Sequence, residues 1–369
     1  MSRWPRVPLG EIIELAYGKS LPARLRRSGS IPVYGANGIA GYHDQAIVPE
    51  PTIIVGRKGS AGEIQLTEVS SFPIDTTYYV VRREPATLDL QFLYSALLHL
   101  NLARLRTSTG VPGLNREDAY RETVPLPPLA EQRRIVEILN HANRIRRLRR
   151  EAIAKARELI PALFIQMFGD PARNPKNLPV VPLGELLDAC DYGTSRKATS
   201  DPVGPPMLRM GNVTTAGDLD LTDLKYANLP AGVAEKYSLC AGDLLFNRTN
   251  SKDLVGKTGI WDREIRAVAA SYFIRLRVSN ERVSPCYVWA FFNTKYMKYR
   301  LYGTARGAIG QANINARELK AFSIPVPPIA LQHEFADRVR DIQSLVFRHE
   351  QQAAGADTLH TSLASRCFQ

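Results

Sequence analysis

The chain has 369 residues, 44% of them hydrophobic and 23% charged. That is too long for one ordinary domain and normal for a globular protein with a sizeable buried core. Lys and Arg number 48 against 36 Asp and Glu, a net +12 that suits a polyanionic partner, though a basic protein with no nucleic-acid role carries the same charge.

No apolar run approaches the ~20 residues that span a bilayer, and the opening MSRWPRVPLGEI lacks the apolar stretch of a secretory signal. The four cysteines, Cys190, Cys240, Cys286 and Cys367, form no CxxC pair. Neither a zinc ribbon nor a disulfide framework is expected, and a reduced, cytoplasmic protein is.

In chain order, Val7-Pro8-Leu9-Gly10-Glu11 comes first, and it recurs as Val181-Pro182-Leu183-Gly184-Glu185. Residues 24–37 offer Arg24, Arg26, Arg27, Tyr34 and Asn37 as candidate DNA contacts. Residues 52–55 (TIIV) and 75–81 (DTTYYVV) have the β-branched and aromatic content of strands. Between them, VGRKGSAG presents Arg57, Lys58 and Ser60 among glycines. Arginine reads guanine and asparagine reads adenine in bidentate geometry, and glycine admits close backbone approach, so such loops suit base edges; an ordinary polar turn has the same composition. A helix follows over residues 90–105.

PLPPLAEQ is a rigid proline stop, and a long helix over residues 131–168 follows it. Ile135, Ile138, Ala142, Ile145, Ala152, Ala156, Leu159 and Leu163 recur at three- and four-residue steps, with Arg149 interrupting, as in a coiled-coil seam. Pro161 should kink its last turns, and Gly169-Asp170-Pro171 should end it. The helix is strongly basic. Arg144, Arg146, Arg147 and Arg150 are candidates for phosphate or partner contact, or simply a solvated face.

The second half repeats the plan. Strands are expected at 243–246 and 271–276, and a helix at 285–301. Candidate DNA contacts are Arg209, Asn212, Asn247, Arg248, Thr249, Asn250 and Lys252. INARELKAFSIPVPPIALQ (314–332) matches LNREDAYRETVPLPPLAEQ (114–132) at an offset of 200, against 174 for the opening motif, so the second half carries 26 more residues. The distal helix runs from about Leu331, with Phe335, Val339, Ile342, Val346, Ala353, Leu359 and Leu363 on its seam and Gly355 weakening it.

Duplication therefore predicts an α+β protein: domains at 1–130 and 171–330, a central helix at 131–170, and a distal helix at 331–369 pairing with it antiparallel. Such a single chain imitates a symmetric dimer reading two half-sites of duplex DNA. Gly256-Lys257-Thr258 lacks the first glycine of a P-loop, since position 251 is Ser251. No HExxH, no GxSxG and no base-gripping tetrapeptide of an adenine methyltransferase occurs, so a binding subunit without catalytic residues or metal is expected.

VPLGEI and VPLGEL, GDLLFNRTNS, and above all VPLPPLAEQRRIVEIL leading to LIPALFIQMFGDP resemble the specificity subunits of type I restriction-modification enzymes. The distal Ala330-Leu331-Gln332 departs from the usual Glu-Gln pair. The resemblance implies two β-rich target-recognition domains, each reading half of a bipartite DNA site, joined by an antiparallel coiled coil. It implies docking of two methyltransferase subunits, which bind S-adenosylmethionine and methylate adenine N6, and of motor-nuclease subunits. No cofactor is expected on this chain, and no membrane partner. Alternatives are an equivalent subunit of another restriction-methylation system, or a coiled-coil scaffold that does not bind DNA.

Overall fold

A computed structural model describes residues 4–107, 110–305 and 312–368. The chain divides into two compact units: residues 1–151 with 350–369, and residues 152–349. Each contains a mixed globular part and a segment of both long helices.

In the first unit, a four-stranded antiparallel sheet runs in the order Ile13–Tyr17, Thr77–Arg82, Ile53–Gly56, Ile64–Leu66. A second sheet places Ile31–Gly35 between Gly38–His43, antiparallel, and Phe72–Pro73, parallel. The second unit repeats this order strand for strand. Leu187–Tyr192, Phe273–Val278, Leu244–Asn247 and Thr258–Ile260 make the four-stranded sheet. Pro206–Leu208 lies between Lys225–Tyr226, antiparallel, and Val268–Ala269, parallel. The central strands are buried on both faces, which explains their continuous apolar runs: every residue of Ile53–Gly56 and of Leu244–Asn247 is buried.

The repeated sequence landmarks meet in space. Arg6–Pro8 pairs with Thr123–Pro125, and Val180–Pro182 with Ser323–Pro325, so each unit is clasped where its chain enters and leaves. The glutamine after each proline pair is fully buried and locks the clasp. Gln132 Oε1 accepts from the amide of Asp89 at 2.8 Å, and its Nε2 donates to the carbonyls of Thr87 and Pro127, both at 2.9 Å. Gln332 Oε1 accepts from the amide of Ser284 at 2.8 Å, and its Nε2 donates to Pro327 at 2.7 Å. Asp89 and Ser284 are the N-cap residues of Leu90–Leu100 and Pro285–Phe292, so each glutamine ties the start of a long helix to the start of its unit's buried helix. Gln332 makes this tie without the preceding glutamate.

The helix expected at 90–105 is an α-helix over Leu90–Leu100 and a 3₁₀ turn over Leu102–Leu105, parted by Asn101 at φ 52°. The one expected at 285–301 is two helices, Pro285–Phe292 and Lys295–Thr304; Thr294 caps the second by accepting from the Met297 amide at 3.2 Å.

The long helices are Leu129–Phe168 and Ile329–Phe368, 40 residues each. The first continues through Pro161, and the second through Gly355. The expected seam is one position out of phase in places. Ile138, Ile145, Leu159 and Leu359 are exposed, whereas Leu139, Arg146, Ile153 and Ile160 take the inward positions. In the first unit, Arg146 and Arg150 both reach Asp357, and Arg149 Nη1 donates to Gln352 Oε1 at 2.6 Å. Rising numbers on one helix meet falling numbers on the other, so these segments run antiparallel. In the second unit Phe164 and Phe168 pack edge-on against Phe335, with ring centroids 5.8 and 5.2 Å apart. Both helix segments are thereby part of each core: Ile135, Leu139 and Phe368 in the first unit, Phe164, Met167, Phe335 and Val339 in the second.

Candidate nucleic-acid interface

The expected contact residues separate into those free to meet a ligand and those consumed by the fold. In the first unit Arg24 is exposed in the turn Ala23–Leu25, and Asn37 is exposed at the two-residue link of the hairpin Ile31–Gly35/Gly38–His43. Arg26 instead donates to the carbonyls of Ala40 and Leu21, bracing that hairpin. Arg27 pairs with Asp44 at 3.0 Å. Tyr34 is buried in its strand; burial, then Glu68, then Tyr42 push its hydroxyl pKa up. Lys58 is exposed and Ser60 half-buried in the loop after Ile53–Gly56.

In the second unit more of the expected contacts turn inward. Asn212 is buried: its Oδ1 accepts from the Arg209 amide at 2.8 Å, and its Nδ2 donates to the carbonyls of Asp220 at 2.8 Å and Asp223 at 3.2 Å. Arg209 is half-buried and paired with Asp223 at 2.8 Å; that hydrogen bond, then Lys225, hold the Asp223 carboxyl below its ordinary range. Asn247 is fully buried and accepts from Asn250 Nδ2 at 2.9 Å, while Asn250 Oδ1 accepts from the Ser251 amide at 2.8 Å. These asparagines and Arg209 hold loops together through the bonds just given, while Asn247 Nδ2 and Arg209 Nε are buried without a hydrogen-bond partner. Thr249 pairs with Asn313 across a short ladder, and Lys252 lies over the Tyr302 ring at 4.4 Å.

On the first long helix, Arg146 and Arg150 are engaged with Asp357, whose carboxyl they hold low, and Arg147 pairs with Glu151 at 3.6 Å. Arg144 is exposed.

A polar cavity of about 600 Å³ in the second unit adds residues the sequence reading missed. Arg196, Lys197, Met210 and Tyr272 line it together with Arg209, Asn212 and Asp223. Arg196 and Lys197 are exposed cations. Their signal was present: Tyr192-Gly193 before them repeats Tyr17-Gly18, 175 positions earlier. Each glycine turns the chain where a Cβ would stand 2.2–2.3 Å from a carbonyl oxygen, of Ile74 or of Ala269 and Ala270. The rim of the cavity is braced from beneath. Lys257 Nζ donates to the carbonyls of Met210 at 2.9 Å and Val213 at 2.6 Å, and burial lowers its pKa.

Among the described residues no group of three or more His, Cys, Asp or Glu side chains converges as a metal site requires, and no helix is long and apolar enough to cross a membrane.

The chain is similar to the EcoKI specificity subunit of Escherichia coli K12, 24% identical over 356 residues, covering 88% of this chain and 75% of the relative. It is similar to the putative specificity subunit S.HindORF215P of Haemophilus influenzae, 24% identical over 352 residues, covering 92% and 87%. The putative MjaX specificity subunit of Methanocaldococcus jannaschii is 26% identical over 174 residues; this match covers 47% of the present chain and 41% of the relative. Among solved structures, the S subunit of a type I restriction-modification system from M. genitalium aligns over 100% of this chain and 96% of its own, with a TM-score of 0.62 at 16% identity. A chain from a study of complex assembly and conformational transition in the type I system aligns over 99% and 97%, with a TM-score of 0.62 at 18% identity. These structures share the fold. The model of the type I restriction modification DNA specificity domain matches residues 1–155 and again residues 175–353, one match for each copy of the duplication, and the chain belongs to that family.

Proposed function

We propose that this chain is the DNA sequence-recognition subunit of a type I restriction-modification complex, and that each unit reads one half of a bipartite duplex site. The observation that carries this is the duplication itself. One strand order occurs twice, and each copy presents exposed cations on loops that differ between them: Arg24 and Lys58 in the first, Arg196, Lys197 and Lys252 in the second. A repeated scaffold with unlike loops suits two half-sites of unlike sequence.

In this reading the paired long helices set the spacer between half-sites and dock two methyltransferase subunits, with motor-nuclease subunits joining the full complex. The methyltransferase partners hold S-adenosylmethionine and methylate adenine N6; the present chain carries out no chemistry of its own. Support for the ruler role comes from the first long helix, which contributes residues to both units without a break.

The deciding experiment is methylome sequencing of cells carrying the chain with its partners, alongside duplex binding by the purified complex at several salt concentrations. A methylated site in two separated halves is expected, together with sequence-specific binding. Methylation without a bipartite site, or a complex indifferent to duplex DNA, overturns the proposal. Methyl transfer by the purified chain alone would overturn the non-catalytic part.

A further inference from the structure

Two arginines hold equivalent places in the two units. Arg57 follows the central strand Ile53–Gly56, and Arg248 follows Leu244–Asn247. The Arg57 amide donates to the Thr76 carbonyl at 2.9 Å, and the Arg57 carbonyl accepts from the Leu114 amide at 2.9 Å. The Arg248 amide donates to Tyr272 at 2.9 Å, and its carbonyl accepts from Ile314 at 3.0 Å. Each guanidinium lies over the tyrosine that ends the unit's first long strand: Arg57 is 5.2 Å from the Tyr17 ring centroid, and Arg248 is 4.8 Å from that of Tyr192. In each the Nε is buried without a hydrogen-bond partner.

Among the described residues neither guanidinium forms an ion pair or a side-chain hydrogen bond, unlike Arg27, Arg209 and Arg277, which are matched to Asp44, Asp223 and Asp243. The ring covers one face, and the backbone anchors the loop on both sides. What remains is the terminal Nη edge, a two-pronged donor suited to two oxygens of an anion. Each buried Nε lacks the carboxylate partner that Arg277 Nε has in Asp243, so an anion at the open Nη edge would stabilise the charge.

Resting on the proposed function, we infer that Arg57 and Arg248 are a matched pair of phosphate contacts, one to the DNA backbone of each half-site. An arginine stacked on the equivalent tyrosine in both units, with Arg116 joining it on Tyr17 in the first, while the surrounding loops diverge, meets what the two half-sites share. Half-sites of different sequence share the phosphodiester backbone. The inference departs from the base-edge role expected of these loops from sequence.

The test uses the complex of this chain with its methyltransferase subunits. Duplex targets carry one neutral methylphosphonate, stepped along each half-site. For the wild type, one position per half-site is expected to weaken binding. In Arg57→Ala that same substitution in one half-site is expected to have no further effect, and in Arg248→Ala the same holds in the other. Each alanine variant should lower the slope of log affinity against log salt by about 0.9, so that its deficit shrinks about 3.5-fold between 50 and 200 mM salt. Base preferences should be unchanged. Arg57→Lys and Arg248→Lys, which keep charge and length, should keep the slope and serve if an alanine variant does not fold. Relaxed preference at a single base with an unchanged slope would overturn the inference in favour of base reading. Unchanged affinity and slope would reduce the arginines to a role in the fold. A wild-type complex that binds duplex with no sequence preference would defeat the proposed function instead.

Discussion

The two units differ most where the second sheet turns. In the first unit, Ile31–Gly35 and Gly38–His43 are joined by two residues, Ala36 and Asn37. In the second, Pro206–Leu208 and Lys225–Tyr226 are joined by residues 209–224, a long link folded around Asn212 and braced by Lys257 and by Trp289, whose Nε1 donates to the Gly217 carbonyl at 3.0 Å. Much of the second unit's extra length sits here and builds the polar cavity. The clasp, the buried glutamine, the strand order and the arginine–tyrosine stack are held in common. Duplication has kept what buries area or satisfies backbone and has varied what faces solvent, because a loop tip can lengthen at small entropic cost while a sheet register cannot move.

The sharpest way to break this comparison is to exchange one unit. Replacing residues 1–130 with the equivalent unit of a relative should abolish preference for one native half-site, a loss of about a thousandfold or more over non-specific DNA. Preference for the other half should remain, as read by binding selection from a randomised duplex library. Loss of both halves would show that the units do not read separately.

The shared helices offer a second, smaller effect. Residues 142–148 lie opposite residues 354–360, as the Arg146–Asp357 and Arg149–Gln352 contacts show. Removing both opposed heptads should shorten the pair by about 10 Å at ~1.5 Å per residue and keep the seam in phase. The preferred spacer should narrow by roughly three base pairs, at about 3.4 Å each, with both half-site sequences unchanged. A methylation assay with the spacer stepped one base pair at a time reads this; an unmoved optimum in an active variant means another element is the ruler.

Within the second unit alone, Asn212→Ala should cost about 1–3 kcal/mol, since it strands the carbonyls of Asp220 and Asp223 and the Arg209 amide. Hydrogen exchange should rise across residues 209–224 and stay level in the first unit. Unchanged exchange there would show that Lys257 and Trp289 suffice to hold the link.

The smallest effect is a pH dependence of the first unit, to which its helix segments contribute through His360. Burial, then Arg146, lower the His360 pKa below 6.5, with Asp357 opposing. The folded form then binds fewer protons than the unfolded chain, so stability falls as pH drops through 6.5 towards the lowered value. Asp357, held low by Arg146 and Arg150, adds a second loss as pH falls below its ordinary 3.8. The protection factors of residues 352–364, with the intrinsic pH dependence of exchange removed, should fall between pH 7 and 5.5, and His360→Gln should remove that response. An equal response in the variant would assign it elsewhere.

By itself the sequence determined the duplication, the central strands, the buried helices and the two long helices that follow Pro127-Pro128 and Pro327-Pro328. These rest on local signals: β-branched runs, proline stops and a three-four periodicity each act within a few residues. Tertiary structure decided the seam phase, since Ile138 and Leu139 satisfy that periodicity equally and only the core of the first unit, which includes Phe368 of the opposing helix, selects Leu139. It decided as well that Tyr34, Asn212, Asn247 and Asn250 turn inward, that Arg26, Arg27, Arg146 and Arg209 are taken by partners in the fold, and that Arg196 and Lys197 reach the cavity. An arginine or asparagine has the same hydrogen-bonding groups whether it meets a base, a phosphate or a neighbouring carbonyl. Which of these it meets depends on residues far away in the chain, brought close only by folding.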